Sequence, residues 1–151
     1  MNPLVVTNQI FIHAPIESVW DALVNPQKTK IYMFGCETIS DWNIGSALLW
    51  EGEHEGNKMV FVKGYILDLQ YPNKLIYSVI DPFAKMEDIP QNYLRVTYDL
   101  RSIDEHTELT VSQDGFEHAA DGQKRYKDVY NDGKGWEPIL IEIKKLVEHS
   151  K

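Results

Sequence analysis

Two segments at opposite ends of the chain most constrain its fold. Near the start, residues from Leu4 to His13 rich in β-branched side chains lead into an aromatic-bearing helical pattern that extends to Leu23. Near the end, Gly135-Trp136 opens a long amphipathic pattern. Between them the apolar residues follow mainly alternation or short runs, the signature of strands. That order predicts an α+β fold in which a sheet wraps around a terminal helix. The space between the two is filled either by side chains or by a bound molecule.

The local signals support this outline. Val6, Ile10 and Ile12 share one parity, as in a strand with one buried face. Pro15 suits a first helical position, Glu17 falls in the first turn, and Ile16, Val19, Trp20 and Leu23 form an apolar stripe. Asn25-Pro26 reads as the cap and first turn of a second helix, with Ile31 and Phe34 as its apolar pair and Gly35 as its stop. Six strands are then predicted at Glu37 to Asp41, Ser46 to His54, Lys58 to Gln70, Leu75 to Ile80, Asn92 to Ile103 and Thr107 to Gln113. Short turn-like breaks between them favour an antiparallel meander. Leu94, Val96, Tyr98 and Leu100 alternate with Arg95, Thr97 and Asp99, so one face is buried and the other wet. Asp121 is expected to cap a helix through Tyr130, and Gly133, Gly135 and Pro138 predict a kink after it. Trp136, Ile139, Leu140, Ile143, Leu146 and Val147 form the stripe that packs on the sheet.

A chain of 151 residues is expected to form one domain over 1–151 and to bury roughly 68–70% of its unfolded surface. The lone Cys36 has no intrachain disulfide partner, and the N-terminus lacks the basic start and apolar core of a secretory signal. A cytoplasmic location is the expectation. No membrane span is expected, because the stretch from Leu67 to Val79 is broken by Asp68, Gln70, Pro72, Asn73 and Lys74. The net charge of -8, from 23 acidic and 15 basic residues, argues against a nucleic acid as partner.

Reactive groups are sparse. His13, His54, His106, His118 and His149 are isolated and show no metal-ligand spacing, so neither a metal nor a cofactor is expected. Glu51, Glu53 and Glu55 cluster with His54, but alternation sends Glu51 and Glu53 to one face and His54 toward a turn, the pattern of a solvated hairpin. Cys36 lacks a recognisable histidine partner and reads as a small buried residue. Gly133-x-Gly135 is too short to cradle a phosphate. No catalytic residue is assigned, and binding is expected rather than turnover.

Several motifs occur in a diagnostic order. They are Ala14-Pro15-Ile16-Glu17-Ser18-Val19-Trp20, Asp41-Trp42-Asn43-Ile44-Gly45-Ser46, Trp50-Glu51-Gly52, Gly64-Tyr65-Ile66 and Pro72-Asn73-Lys74-Leu75, followed by Asp88-Ile89-Pro90-Gln91-Asn92-Tyr93, Thr107-Glu108-Leu109-Thr110-Val111, Gln113-Asp114-Gly115-Phe116 and Gly135-Trp136. Together they resemble the activator-of-Hsp90-ATPase-like branch of the START-like superfamily. The resemblance implies the helix-grip fold of the birch pollen allergen, a curved antiparallel sheet around a long C-terminal helix. It leaves function open, because the superfamily includes lipid binders, hormone receptors, polyketide cyclases and a co-chaperone domain.

Within such a fold, the parity near Tyr98 places Leu48, Trp50, Val60, Val62, Ile66, Tyr77, Val96, Tyr98, Leu109, Val111, Trp136 and Leu140 inward. Of these, Trp50, Val62, Ile66, Tyr77, Tyr98, Leu109, Val111, Trp136 and Leu140 are expected to contact a ligand. Phe83 and Met86 join them from a loop of lid-like length. The expected partner is a small hydrophobic molecule, aromatic or lipid-like. A polyketide cyclase or aromatase using Tyr77, Tyr98 and Gln113 is the enzymatic alternative. An Hsp90-type chaperone ranks behind the small molecule as a partner, since the chain shows no counterpart of the co-chaperone's additional N-terminal domain.

Overall fold

The computed structural model describes residues 4–149. Residues 1–3 and 150–151, the outermost parts of the expected domain and of the expected leader-free N-terminus, lie outside the described residues. The elements run β1 (Val6–Ile12), α1 (Ile16–Val24), α2 (Pro26–Tyr32), β2 (Glu37–Ser40), β3 (Ala47–His54), β4 (Asn57–Gln70), β5 (Lys74–Val79), β6 (Leu94–Ile103), β7 (His106–Asp114), α3 (Gly122–Tyr130) and α4 (Glu137–His149). The strands form one antiparallel sheet in the order β1-β7-β6-β5-β4-β3-β2. α1 and α2 carry the chain from one sheet edge, β1, to the other, β2. This is the expected helix-grip architecture, a curved sheet around the C-terminal helix.

Two bulges contribute to the curvature. Trp50 pairs with Val62 while Glu51 pairs with Val60, which leaves Phe61 as an extra residue in β4. Ile66 pairs with Tyr77 and Asp68 with Ile76, leaving Leu67 extra in the same strand. An extra residue bends its strand and increases the local twist. The 14-residue β4 therefore curls over the interior instead of lying flat.

Helix ends are satisfied by specific side chains. The Tyr32 hydroxyl donates to Ala22 O at 2.7 Å and the Thr38 hydroxyl to Val24 O at 2.8 Å, covering the last carbonyls of α1. Asn25 accepts from Gln27 N at 3.0 Å and caps α2 as its sequence suggested. The buried residues of α2 are Thr29 and Tyr32, whereas Ile31 and Phe34 are exposed. The expected apolar pair of this helix is thus corrected: α2 ends at Tyr32, and Phe34 takes a left-handed conformation with φ 54° that carries its ring outward. Pro15 precedes α1 with ψ 151° instead of occupying its first turn. Asp121 has φ 53°, and its side chain makes no capping bond to α3.

α4 lays Leu140, Ile143 and Val147 against the sheet and α1, each fully or nearly buried. Burying a side chain of this size stabilises by about 1.5–3 kcal/mol. Lys144 on the same helix donates to Phe11 O at 2.7 Å and so covers an edge carbonyl of β1. The approach to α4 is set by Gly135, whose φ is 52°. A Cβ there would stand 2.3 Å from Asn8 Oδ1. Asn8 uses that oxygen to accept from Trp136 N at 2.9 Å, and its amide nitrogen donates to Lys134 O at 3.2 Å.

Gly135→Ala is therefore expected to lower stability by about 2 kcal/mol, because the added methyl both clashes with Asn8 and penalises the left-handed backbone. Urea denaturation reads this directly. A variant within about 0.5 kcal/mol of the parent would show that the Asn8 clamp does not set the start of α4.

Candidate ligand cavity

The bent sheet and the segment entering α4 leave a cavity of about 400 Å³. Its volume falls within the ~300–1,000 Å³ range of small-molecule sites. β3 and β4 contribute Trp50, Phe61 and Val62, β5 contributes Tyr77 and Val79, and β6 and β7 contribute Val96 and Gln113. Trp136 closes it from the start of α4, and Met33, Phe34 and Cys36 from the turn after α2. Phe34, 87% exposed, stands at the rim with Glu53. A second space of about 300 Å³ adjoins it and shares Met33, Phe34, Gln113 and Trp136.

An aromatic series supports the wall. Trp50 and Tyr77 have ring centroids 6.0 Å apart, Tyr77 and Tyr98 5.7 Å, and Tyr98 and Trp136 6.1 Å with planes at 89°. Such separations and tilts match favourable ring quadrupole contacts. The polar ends of three of these rings are paired as well. The Tyr77 and Tyr98 hydroxyls share a hydrogen bond of 3.1 Å, and Trp136 Nε1 donates to Gln113 Oε1 at 2.9 Å.

Burial raises the pKa of Tyr77 and Tyr32 well above the ordinary tyrosine value and that of Tyr98 from 10.0 to about 12. For Tyr98 the bond to Tyr77 offsets part of the rise. Desolvation likewise pushes the Cys36 thiol up, which suits a wall residue and not a nucleophile. Among the described residues no group of three or more histidine, cysteine or carboxylate side chains is placed to hold a metal. No helix among them is long and apolar enough to cross a membrane.

Of the ligand contacts expected from the sequence, Trp50, Val62, Tyr77 and Trp136 come together on the cavity wall. Tyr98 lies behind that wall, bonded to Tyr77. Ile66, Leu109, Val111 and Leu140 are core residues, each 0–1% exposed, and do not line the space. Phe83 is exposed, and Met86 packs its sulfur 3.5 Å from Arg125 Nη1 outside the cavity. Their loop is tied down elsewhere, with Asn92 Nδ2 donating to Glu87 O and Arg125 Nη1 to Asn92 O, both at 2.8 Å.

The sequence reading missed Met33, Phe34, Phe61 and Val79 as wall residues. Val79 shares the parity of Tyr77 and was accessible to the same reasoning. Phe61 was not, because the bulge that turns it inward leaves no simple alternation. Gly52 makes room for that ring: a Cβ on it would lie 3.1 Å from Phe61 Cε2.

The family described as activator of Hsp90 ATPase homolog 1-like protein matches residues 13–148. ChR145 from Cytophaga hutchinsonii is 37% identical, with 98% of this chain and 97% of that chain covered and a TM-score of 0.74. Protein NE0264 from Nitrosomonas europaea has a TM-score of 0.71 at 17% identity, covering 96% and 94%. PFC0360w, an HSP90 activator from Plasmodium falciparum, has a TM-score of 0.68 at 15% identity, covering 96% of each chain. At those two lower identities the likeness concerns the fold alone. No curated protein gives a match.

The tyrosine network makes a pH-dependent prediction. A folded-state pKa raised above the unfolded value gives stability that is fully present below the unfolded pKa and lost as pH rises through the folded one. For Tyr98 that window runs from 10.0 to about 12. Tyr98→Phe is expected to make the alkaline loss of stability in this window shallower, measured by urea denaturation at stepped pH. An unchanged slope, with every tyrosine ionising together by ultraviolet absorbance, would contradict the buried assignment. The 37% identical relative and the family match across residues 13–148 together place the chain in the activator of Hsp90 ATPase homolog 1-like family.

Proposed function

We propose that the protein holds a small hydrophobic molecule, aromatic or lipid-like, in the cavity between its sheet and α4, without chemistry of its own. The observation that carries this reading is a space of about 400 Å³ walled by Trp50, Val62, Tyr77 and Trp136. Rings around it offer flat apolar contact, and two sets of polar groups offer orientation. We also propose one domain across the chain and a cytoplasmic location, the latter supported by the single free thiol of Cys36.

Cyclase-like chemistry is supported less well. General acid–base catalysis needs a group whose pKa lies near the working pH, whereas burial holds the Tyr77 and Tyr98 hydroxyls neutral into the alkaline range. The one carboxylate among the wall residues is Glu53, exposed at the rim. Stimulation of an Hsp90-type ATPase is the second reading, favoured by family membership and by the exposed apolar side chains of Ile31 and of Phe34, the latter at the cavity rim.

Filling the cavity tests the first reading. Val62→Trp is expected to weaken binding of the neutral fluorophore 1-aminoanthracene at least about tenfold while leaving the circular dichroism spectrum unchanged. Unaltered affinity in the folded variant would place binding elsewhere. Stimulation of a purified Hsp90-type ATPase by the parent and Val62→Trp proteins alike, with no fluorophore bound to either, would favour the second reading.

A further inference from the structure

Gln113 reaches from β7 into the wall shared by the two adjoining spaces and is only 6% exposed. The Trp136 indole has a proton to give and no lone pair to offer, so the amide atom facing it is the carbonyl oxygen. That bond fixes the flip of the amide and turns its NH2 group away from Trp136. The amide nitrogen has no hydrogen-bond partner among the described residues. It is not sealed in either, since His106 Nδ1 is the one fully buried side-chain polar atom left unsatisfied among them. The donor is therefore accessible, on a residue that lines both adjoining spaces.

The Tyr77 hydroxyl is occupied by Tyr98 behind the wall. No lysine, arginine or histidine lines the cavity, and the one charge on its wall is the acidic Glu53. A carboxylate ligand would lose its hydration there without meeting a cation. A neutral carbonyl oxygen loses less hydration and meets a prepared donor.

We propose that the cavity selects neutral, carbonyl-bearing apolar molecules, such as aromatic ketones, whose oxygen accepts a hydrogen bond from Gln113 Nε2. This rests on the ligand-binding reading above and adds the chemical class of the ligand and the residue that recognises it.

The test compares naphthalene, 2-acetylnaphthalene and 2-naphthoate by NMR titration at neutral pH, with the parent chain and Gln113→Met. In the parent, 2-acetylnaphthalene is expected to bind about tenfold more tightly than naphthalene, and 2-naphthoate most weakly. In Gln113→Met the ratio between ketone and hydrocarbon is expected to fall to about one. Equal binding of ketone and hydrocarbon by the parent, or tightest binding of 2-naphthoate, overturns the ligand class and leaves the cavity reading standing. A ketone preference that survives in folded Gln113→Met overturns the role of Gln113. Absence of saturable shifts with all three compounds overturns both readings. Should Gln113→Met fail to fold, the parent series decides the ligand class, and Gln113 is tested in the parent by the shift of its side-chain NH2 signals. A downfield displacement with the ketone and none with naphthalene supports its role; no displacement overturns it.

Discussion

Trp136 is held from two directions, and the rest of the interior depends on that grip. Asn8 on β1 receives its backbone N–H, while Gln113 on β7 receives its indole N–H. The two bonds fix where α4 begins and how the indole ring is turned. They also require Gly135, since any side chain at that position would collide with Asn8. From this joint α4 runs across the sheet with Leu140, Ile143 and Val147 beneath it. Trp136 itself becomes the end wall of a space that would otherwise open to solvent.

The remaining walls follow a consistent physical logic. Large rings are expensive to leave unpacked, and a buried hydroxyl or indole N–H is expensive to leave unpaired. Here rings run in sequence from Trp50 through Tyr77 and Tyr98 to Trp136, the two tyrosine hydroxyls bond to each other, and the Trp136 indole N–H bonds to Gln113. These bonds leave the Gln113 NH2 group without a partner in the wall. The bulge at Phe61 and the turn at Met33 and Phe34 shape the open side. Both depart from regular geometry, and departures of this kind are common next to functional sites.

Much of the architecture was legible from the residues. The alternation around Tyr98 identified the buried face, and the Gly135-Trp136 entrance marked the start of the terminal helix. The inward parity found Trp50, Val62 and Tyr77. It also pointed to Ile66, Leu109 and Val111, which are equally inward but lie under the packed part of the sheet. Parity tells which face a side chain takes and says nothing about where along that face helices press. Ile31 and Phe34 were misread for a related reason: three-residue spacing suggests a shared helical face, but the helix ends between them and the backbone then reverses its handedness. The loop carrying Phe83 and Met86 had the length of a lid, yet Asn92 and Arg125 tie it to the region of α3, contacts that no local pattern announces.

The space beside Trp136 is proposed to receive a neutral apolar molecule oriented by its carbonyl oxygen. A crystal structure of the parent chain with 2-acetylnaphthalene tests it most directly. The fused rings are expected among Trp50, Val62, Tyr77 and Trp136, with the carbonyl oxygen within hydrogen-bonding distance of Gln113 Nε2. A space closed by inward rotation of Met33 and Phe34, or a ligand whose carbonyl faces the rim and Glu53, would contradict it.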